Sequence, residues 1–391
     1  MNKILLSAAL LVCTLAANAR VWRINYDANS QADFRTLAQV CAYKDVQDGD
    51  VFYVEPGSHD GSEADNTISR PCTVIGPGWG FKMNAGKAYE AATTHFKNGL
   101  KITSNNVTIQ GVNAQNVSLT VKLTNTYNIL TNIVIERNRF HGITMYTNSN
   151  LYGKNITIRN NYLSTSNGLP IIYIVGDIRY SLIEGNIIAN SNSTCIGLST
   201  SSSYIYNYNS SGNETCGIGL RIEHNTFFAG NSSGNICIGG VNSNVIVKDN
   251  ILLTAKYGQT PCTIGSTYPV SYNVTSITEA MYNQAFDEGS DTYSNPLSIT
   301  NTYKGSTYDN TFVNKVEGEF YDEAMRFMVQ EGSIAKTAAS DGGECGAFGG
   351  EHPYVLCGRP VGIPYLYDVD VPEHPTNNEL KISFKVSGQN E

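Results

Sequence analysis

Ile135-Glu136-Arg137-Asn138, Ile158-Arg159-Asn160-Asn161, Ile183-Glu184-Gly185-Asn186, Ile222-Glu223-His224-Asn225, Val247-Lys248-Asp249-Asn250 and Val270-Ser271-Tyr272-Asn273 are copies of one phrase. Its pattern is a β-branched residue, two variable residues, then Asn. The Asn residues follow one another at intervals of 23, 25, 39, 25 and 23. A near-constant interval of this size marks a stacked repeat. An apolar residue stands two after most of the Asn residues: Phe140, Leu163, Ile188, Phe227 and Leu252. Runs such as Asn155-Ile156-Thr157-Ile158 have strand composition and alternation. The intervening Asn, Ser, Gly and Thr favour turns, and no intervening segment has helical periodicity.

A short coil of strands and corners without a helix is one rung of a parallel β-helix. Rungs stacked about 4.8 Å apart place each Asn above the last. The amides can then bond to their own copies as a ladder. Asn is also expected to take the left-handed corner conformation itself. A leucine-rich repeat shares the period and a corner Asn, but it needs a Leu consensus and a helical convex side. Residues 141–154 supply neither.

Composition agrees with an exported all-β protein. Only 15% of the 391 residues are charged, while 36 are Gly and 24 are Tyr. Residues 1–19 read as a secretory leader: Lys3, an apolar run from Ile4 to Ala17, then Ala17-Asn18-Ala19. The run is too short to span a membrane. Val12 before Cys13 disfavours lipidation. The expected location is extracellular, cell-surface or periplasmic. A net charge of −8 argues against nucleic acid as a partner. Beyond the leader lie Cys41, Cys72, Cys195, Cys216, Cys237, Cys262, Cys345 and Cys357. An even number in an exported chain permits disulfides, and buried small hydrophobes are the alternative. Cys237 and Cys262 fall at equivalent places in adjacent rungs.

Asp33 to Tyr43 places Phe34, Leu37, Val40 and Cys41 on one helical face, with Ser30 or Asp33 as N-cap. Such a helix is expected to cap the open end of the solenoid. Asp48-Gly49-Asp50-Val51-Phe52-Tyr53-Val54 and Cys72-Thr73-Val74-Ile75-Gly76-Pro77-Gly78 then read as strands with turns. This order of elements resembles the entry to secreted right-handed parallel β-helix proteins of the pectate-lyase-like superfamily. In particular it resembles the functionally unassigned members common in Bacteroidetes. The run from Phe327 to Ser333, the Gly-rich stretch from Asp341 to Gly350 and Pro353-Tyr354-Val355-Leu356 resemble the closing rung of those proteins. The resemblance implies an architecture over about residues 20–357, with an N-terminal cap and a closing rung. It implies no single activity, since the superfamily holds lyases, hydrolases, esterases and non-catalytic members. In those proteins other small polar residues usually stand at the positions of Cys345 and Cys357. Acquiring both, around a Gly-rich turn, points to a disulfide between them. Residues 278–326 break the repeat. Residues 358–391 form a Pro-rich arm that ends in a strand-like run, Leu380 to Val386.

Enzymes of the superfamily that this chain resembles split acidic sugars with a basic residue and Ca²⁺ or several cations. Arg137, Arg139, His141, Arg159 and Arg179 form the densest basic group, and Glu184 and Glu223 are among the carboxylates at ladder positions. The candidate catalytic residues are therefore Arg137, Arg139, Arg159, Glu184 and Glu223. The competing reading of Glu136, Arg159, Glu184, Glu223 and Lys248 is a surface ladder of mutually neutralising charge. No Asp-Asp pair with Gly-His-Gly is present, and no zinc spacing or phosphate loop. No metal or other cofactor is expected, with Ca²⁺ needed only by a lyase. The long interval between Asn186 and Asn225 holds an inserted loop. There Tyr204, Tyr206 and Tyr208 alternate and can present a sugar-stacking face. The reading adopted is a carbohydrate-binding or cell-surface scaffold, with a polysaccharide or surface glycan as partner. A polysaccharide lyase or glycoside hydrolase on an acidic polysaccharide is the alternative. A structural adhesin segment is the third reading.

Overall fold

The computed structural model describes residues 19–79, 93–122, 130–146, 152–165, 171–175, 177–190, 196–199, 217–229, 238–239, 245–254, 270–271, 273–275, 299–300, 306–315, 322–359, 365–370 and 379–387. Among them, one sheet stacks Val21–Ile24, Val51–Val54, Cys72–Ile75, Val107–Gln110, Thr131–Glu136, Tyr152–Arg159, Leu182–Glu184, Arg221–Glu223, Ile246–Lys248, Val270–Ser271 and Ile299–Thr300 in chain order. Every neighbouring pair is parallel. A second line begins just after each ladder Asn: Arg139–Tyr146, Tyr162–Thr165, Ile187–Asn190, Thr226–Ala229, Ile251–Thr254 and Val274–Thr275. A third line runs from Thr67–Ile68 through Lys101–Ile102, the far halves of Asn113–Lys122 and Arg139–Tyr146, and on to Ile172–Val175, Ile196–Ser199 and Ile238–Gly239. The architecture is a parallel β-helix.

Alternation decides which side chains fill it. Ile109, Ile135, Ile158, Ile183, Ile222 and Val247 are in register and point inward, as do Phe140, Leu163, Ile188, Phe227 and Leu252 after the corner. Full burial of each contributes roughly 1.5–3 kcal/mol. Between the two columns lie Asn138, Asn161, Asn186, Asn225, Asn250 and Asn273, all fully buried. Asn138 Oδ1 accepts from the backbone N–H of Val112, and from Asn161 onward each Asn oxygen accepts from the preceding Asn. Asn161 Oδ1, for example, receives the backbone N–H of Asn138 at 3.0 Å and its Nδ2 at 3.1 Å. Each Nδ2 also donates to a strand carbonyl of the preceding rung, as Asn161 does to Ile135 at 2.8 Å. A buried amide left without partners is costly, and here the stack supplies them.

The left-handed residue at this corner is not the Asn. It is the residue before it: Arg137, Asn160, Gly185, His224 and Asp249 all have positive φ. The Asn keeps ordinary φ because its task is hydrogen bonding inside the coil. The N-terminal helix is shorter than the sequence predicts, Leu37–Ala42, with Thr36 as N-cap. Asp33 instead accepts from the backbone of Arg23. Leu37, Val40 and Cys41 join the interior core.

A second apolar cluster lies outside the coil. Tyr162, Ile187, Ile251 and Leu253 point outward from the post-Asn strands and pack against Phe312, Phe327, Ala335 and Tyr354. Residues 322–359 are therefore not strands of a closing rung. They run as short 3-10 turns, Glu323–Phe327, Ile334–Lys336 and Leu356–Gly358, along the outer wall. The expected Cys345–Cys357 disulfide is not formed, and Cys357 is a buried thiol. The reason is placement. The backbone N–H of Gly346 bonds Asp249, whereas Trp79 bonds the carbonyl of Cys357. Those points are several rungs apart at about 4.8 Å each, beyond the roughly 7 Å that a disulfide spans between Cα atoms. The C-terminal arm is more than one strand: Ser383–Ser387 pairs antiparallel with Tyr365–Asp370.

Candidate functional site

The charged column is in strict register: Glu136, Arg159, Glu184, Glu223 and Lys248 occupy successive strands. It is not a surface ladder. Glu136, Glu184 and Glu223 are only 7%, 5% and 6% exposed. Residues 340–359 run along this corner from the rung of Asp249 back to that of Trp79, and they cover it. Ser340 donates its N–H and hydroxyl to Asp249 at 2.6 and 2.8 Å. Ala347 N–H reaches Thr226 Oγ1 at 3.0 Å. His352 Nδ1 lies 3.3 Å from Glu184. Gly350 and Gly358 have positive φ and lie against the His224 ring and the Trp79 ring, where a Cβ would collide. Glycine is required there by both conformation and space.

The five candidate catalytic residues do not converge on open space. Arg159 Nε bonds Glu136 at 2.6 Å. Arg139 lies 3.4 Å from Glu323 and stacks over Tyr162 at 5.4 Å. Arg137 donates to the carbonyl of Arg359 at 3.4 Å. Glu223 is 3.2 Å from Arg221 and 3.8 Å from Lys248, and Glu184 faces His352. Glu184 and Glu223 are brought side by side, but under the C-terminal segment. Burial alone would lower the Lys248 pKa, yet its hydrogen bond to Asp249 and the charges of Asp249 and Glu223 raise it. Asp322 is displaced upward by burial, against the N–H bonds it accepts from Cys357 and Ala324. Among the described residues, no group of three or more His, Cys, Asp or Glu is arranged to hold a metal ion. No helix among them is long and apolar enough to cross a membrane. Tyr204, Tyr206 and Tyr208 lie outside the described residues, as do Cys237 and Cys262.

The opposite corner of the first sheet, where each strand begins, is built differently. Asn106, Asn132, Asn155, Tyr180 and Gly219 stack there, all at positive φ between 50 and 70°. Asn132 Nδ2 donates to Asn106 Oδ1 at 2.8 Å, and Asn155 Nδ2 to Asn132 Oδ1 at 3.1 Å. The three Asn residues are exposed, and Tyr180 is 56% exposed. Lys154 Nζ sits 5.7 Å from the Tyr180 ring centroid. In sequence, Asn106, Asn132 and Asn155 each open a run of Asn, β-branched, any, Ile that reads as a strand start, and nothing in it joins them to Tyr180 and Gly219. The three Asn residues share the period of the inner ladder, at intervals of 26 and 23.

No known protein family matches the chain, and no curated protein does. Among solved structures, a pectin methylesterase from Aspergillus niger aligns over 80% of this chain and 94% of its own, at 12% identity and a TM-score of 0.37. A likeness of that size carries no argument about this chain's activity.

Proposed function

We propose that this chain is an exported scaffold that binds polysaccharide without cleaving it. The observation that carries the reading is the C-terminal cover over the charged column. A general acid or base must come within hydrogen-bond reach of its substrate. Here Glu136, Glu184 and Glu223 are buried and face Arg159, His352, Arg221 and Lys248 of the same chain. Glu184 faces His352 of the covering segment, while Glu136 and Glu223 are engaged by Arg159, Arg221 and Lys248 of the coil itself. Export rests on the leader-like residues 1–19. The alternating Tyr204, Tyr206 and Tyr208 suit sugar stacking. The test is incubation of the full chain with a panel of acidic and neutral polysaccharides. Retention of a glycan without new unsaturated or reducing ends is the expected result. Appearance of unsaturated ends would replace this reading with a lyase.

A further inference from the structure

The uncovered corner of the first sheet contains a position that stability does not explain. Three successive rungs place Asn at a left-handed corner, the residue besides Gly that best tolerates it. The next rung places Tyr180 there, at φ 50°. A bulky side chain with positive φ is a backbone outlier, and such strain gathers where function requires it. The ring is not used to fill a core, since more than half of Tyr180 is exposed. Gly219 follows on the next rung, and a Cβ there would meet the Tyr180 ring at 2.8 Å. The ring therefore lies along the stack and extends the line of amides instead of standing away from it. Lys154, exposed and 5.7 Å from the ring centroid, adds a cation at the same end.

We propose that Asn106, Asn132, Asn155, Tyr180 and Lys154 form a linear site for an extended acidic polysaccharide. This rests on the scaffold reading and locates its surface. One amide bond joins each Asn to the next, and each side chain retains amide donor or acceptor capacity toward solvent. The amides recur once per rung, at about 4.8 Å, which is the scale of a sugar repeat. The exposed face of Tyr180 suits a pyranose ring, and Lys154 favours a chain that carries carboxylates. Gly219, without a side chain, leaves the Tyr180 ring uncovered by its own rung.

The test is affinity electrophoresis of the full chain in polygalacturonate and in a neutral glucan, with parallel melts. Tyr180→Asn, which continues the Asn series, should weaken retention by polygalacturonate about fivefold to tenfold, the scale of one lost aromatic contact. It should also raise the melting temperature, because Asn relieves the strained φ. Tyr180→Phe should keep both wild-type values. Lys154→Gln, at an exposed position, should weaken retention by polygalacturonate and flatten its dependence on salt. Unchanged retention in both Tyr180→Asn and Lys154→Gln overturns this site while leaving a glycan-binding scaffold intact. Failure of the unaltered chain to be retained by either glycan overturns the site and the scaffold reading together.

Discussion

The two edges of the first sheet both carry a ladder of asparagines, and the ladders do opposite things. At the closing edge the Asn side chains turn into the coil, are fully buried, and spend their amides on neighbours and on strand carbonyls. At the opening edge they stand on the left-handed residue itself, face solvent, and make one bond per rung. The same side chain is a structural bond set when buried and a presented polar group when exposed. The closing edge is covered a second time, by residues 340–359, while at the opening edge Asn106, Asn132, Asn155 and Tyr180 are exposed and no described segment overlies them. Charge beneath a cover and amides without one mark the difference between a region that holds the molecule together and one free to meet a ligand.

The largest expected effect belongs to the buried ladder. Asn186→Leu removes the acceptor of Asn161 N–H and Nδ2 at 3.0 Å each, and the donor to Ile158 at 2.8 Å. Several buried groups lose partners at once, each worth about 1–3 kcal/mol, so the total should reach about 3–5 kcal/mol. Urea unfolding followed by circular dichroism measures it. A loss below about 1 kcal/mol would mean that the amides are dispensable even when buried, and the contrast between the edges would collapse.

Removing the cover should have the next largest effect. Gly358→Ala places a methyl group against the Trp79 ring and the Arg137 carbonyl, at a φ of 55°. Strain and overpacking together should weaken docking by about 2–3 kcal/mol. The expected sign is local: faster proteolysis within residues 322–359, with the coil's melt shifted much less. Equal protease resistance in variant and wild type would show that the segment's hold does not depend on this close approach.

A smaller effect is expected from the polar clamp at the other end of the cover. Lys248 Nζ lies 2.9 Å from Asp249 and 3.0 Å from Ser340 Oγ. Its folded pKa is raised, so the stability it contributes is fully present below the unfolded lysine value, about 10.4. That stability is lost as pH climbs through the raised folded value. Lys248→Met should cost about 1 kcal/mol at neutral pH. It should also make the decline above pH 10 shallower than in the wild type. Parallel melts from pH 7 to 11 decide this, and identical slopes would remove Lys248 from the clamp.

The inner ladder was legible because its signal is local: Ile135 to Asn138 and its copies carry both the inward apolar residue and the amide. The cover was not, because burial of Glu184 depends on His352, and Asp249 finds Ser340 at a separation of 91 residues. Nothing near Glu184 in sequence distinguishes a surface carboxylate from one about to be overlaid. For the same reason, Cys345 and Cys357 looked like a turn-closing pair. Their backbone runs along the solenoid axis instead of turning back. The outer corner was half legible, since Asn106, Asn132 and Asn155 keep the ladder period. What unites them with Tyr180 and Gly219 is a backbone angle, which no residue pattern displays.

The smallest expected effect is the sharpest test of the contrast. Asn132 sits in the middle of the exposed series at φ 57°, accepting from Asn155 and donating to Asn106. Asn132→Gly deletes both bonds and nothing else of consequence, because glycine adopts that φ freely. Water replaces the lost partners of Asn106 and Asn155, so no buried group is stranded. The change in stability should stay within about 0.5 kcal/mol, several-fold below that of Asn186→Leu on the other edge. The same variant should lower glycan retention modestly, since one amide of the line is gone while Tyr180 and Lys154 remain. If Asn132→Gly destabilises as strongly as Asn186→Leu, the outer amides are structural bonds as well. The opening edge would then have no side chains to spare for a ligand.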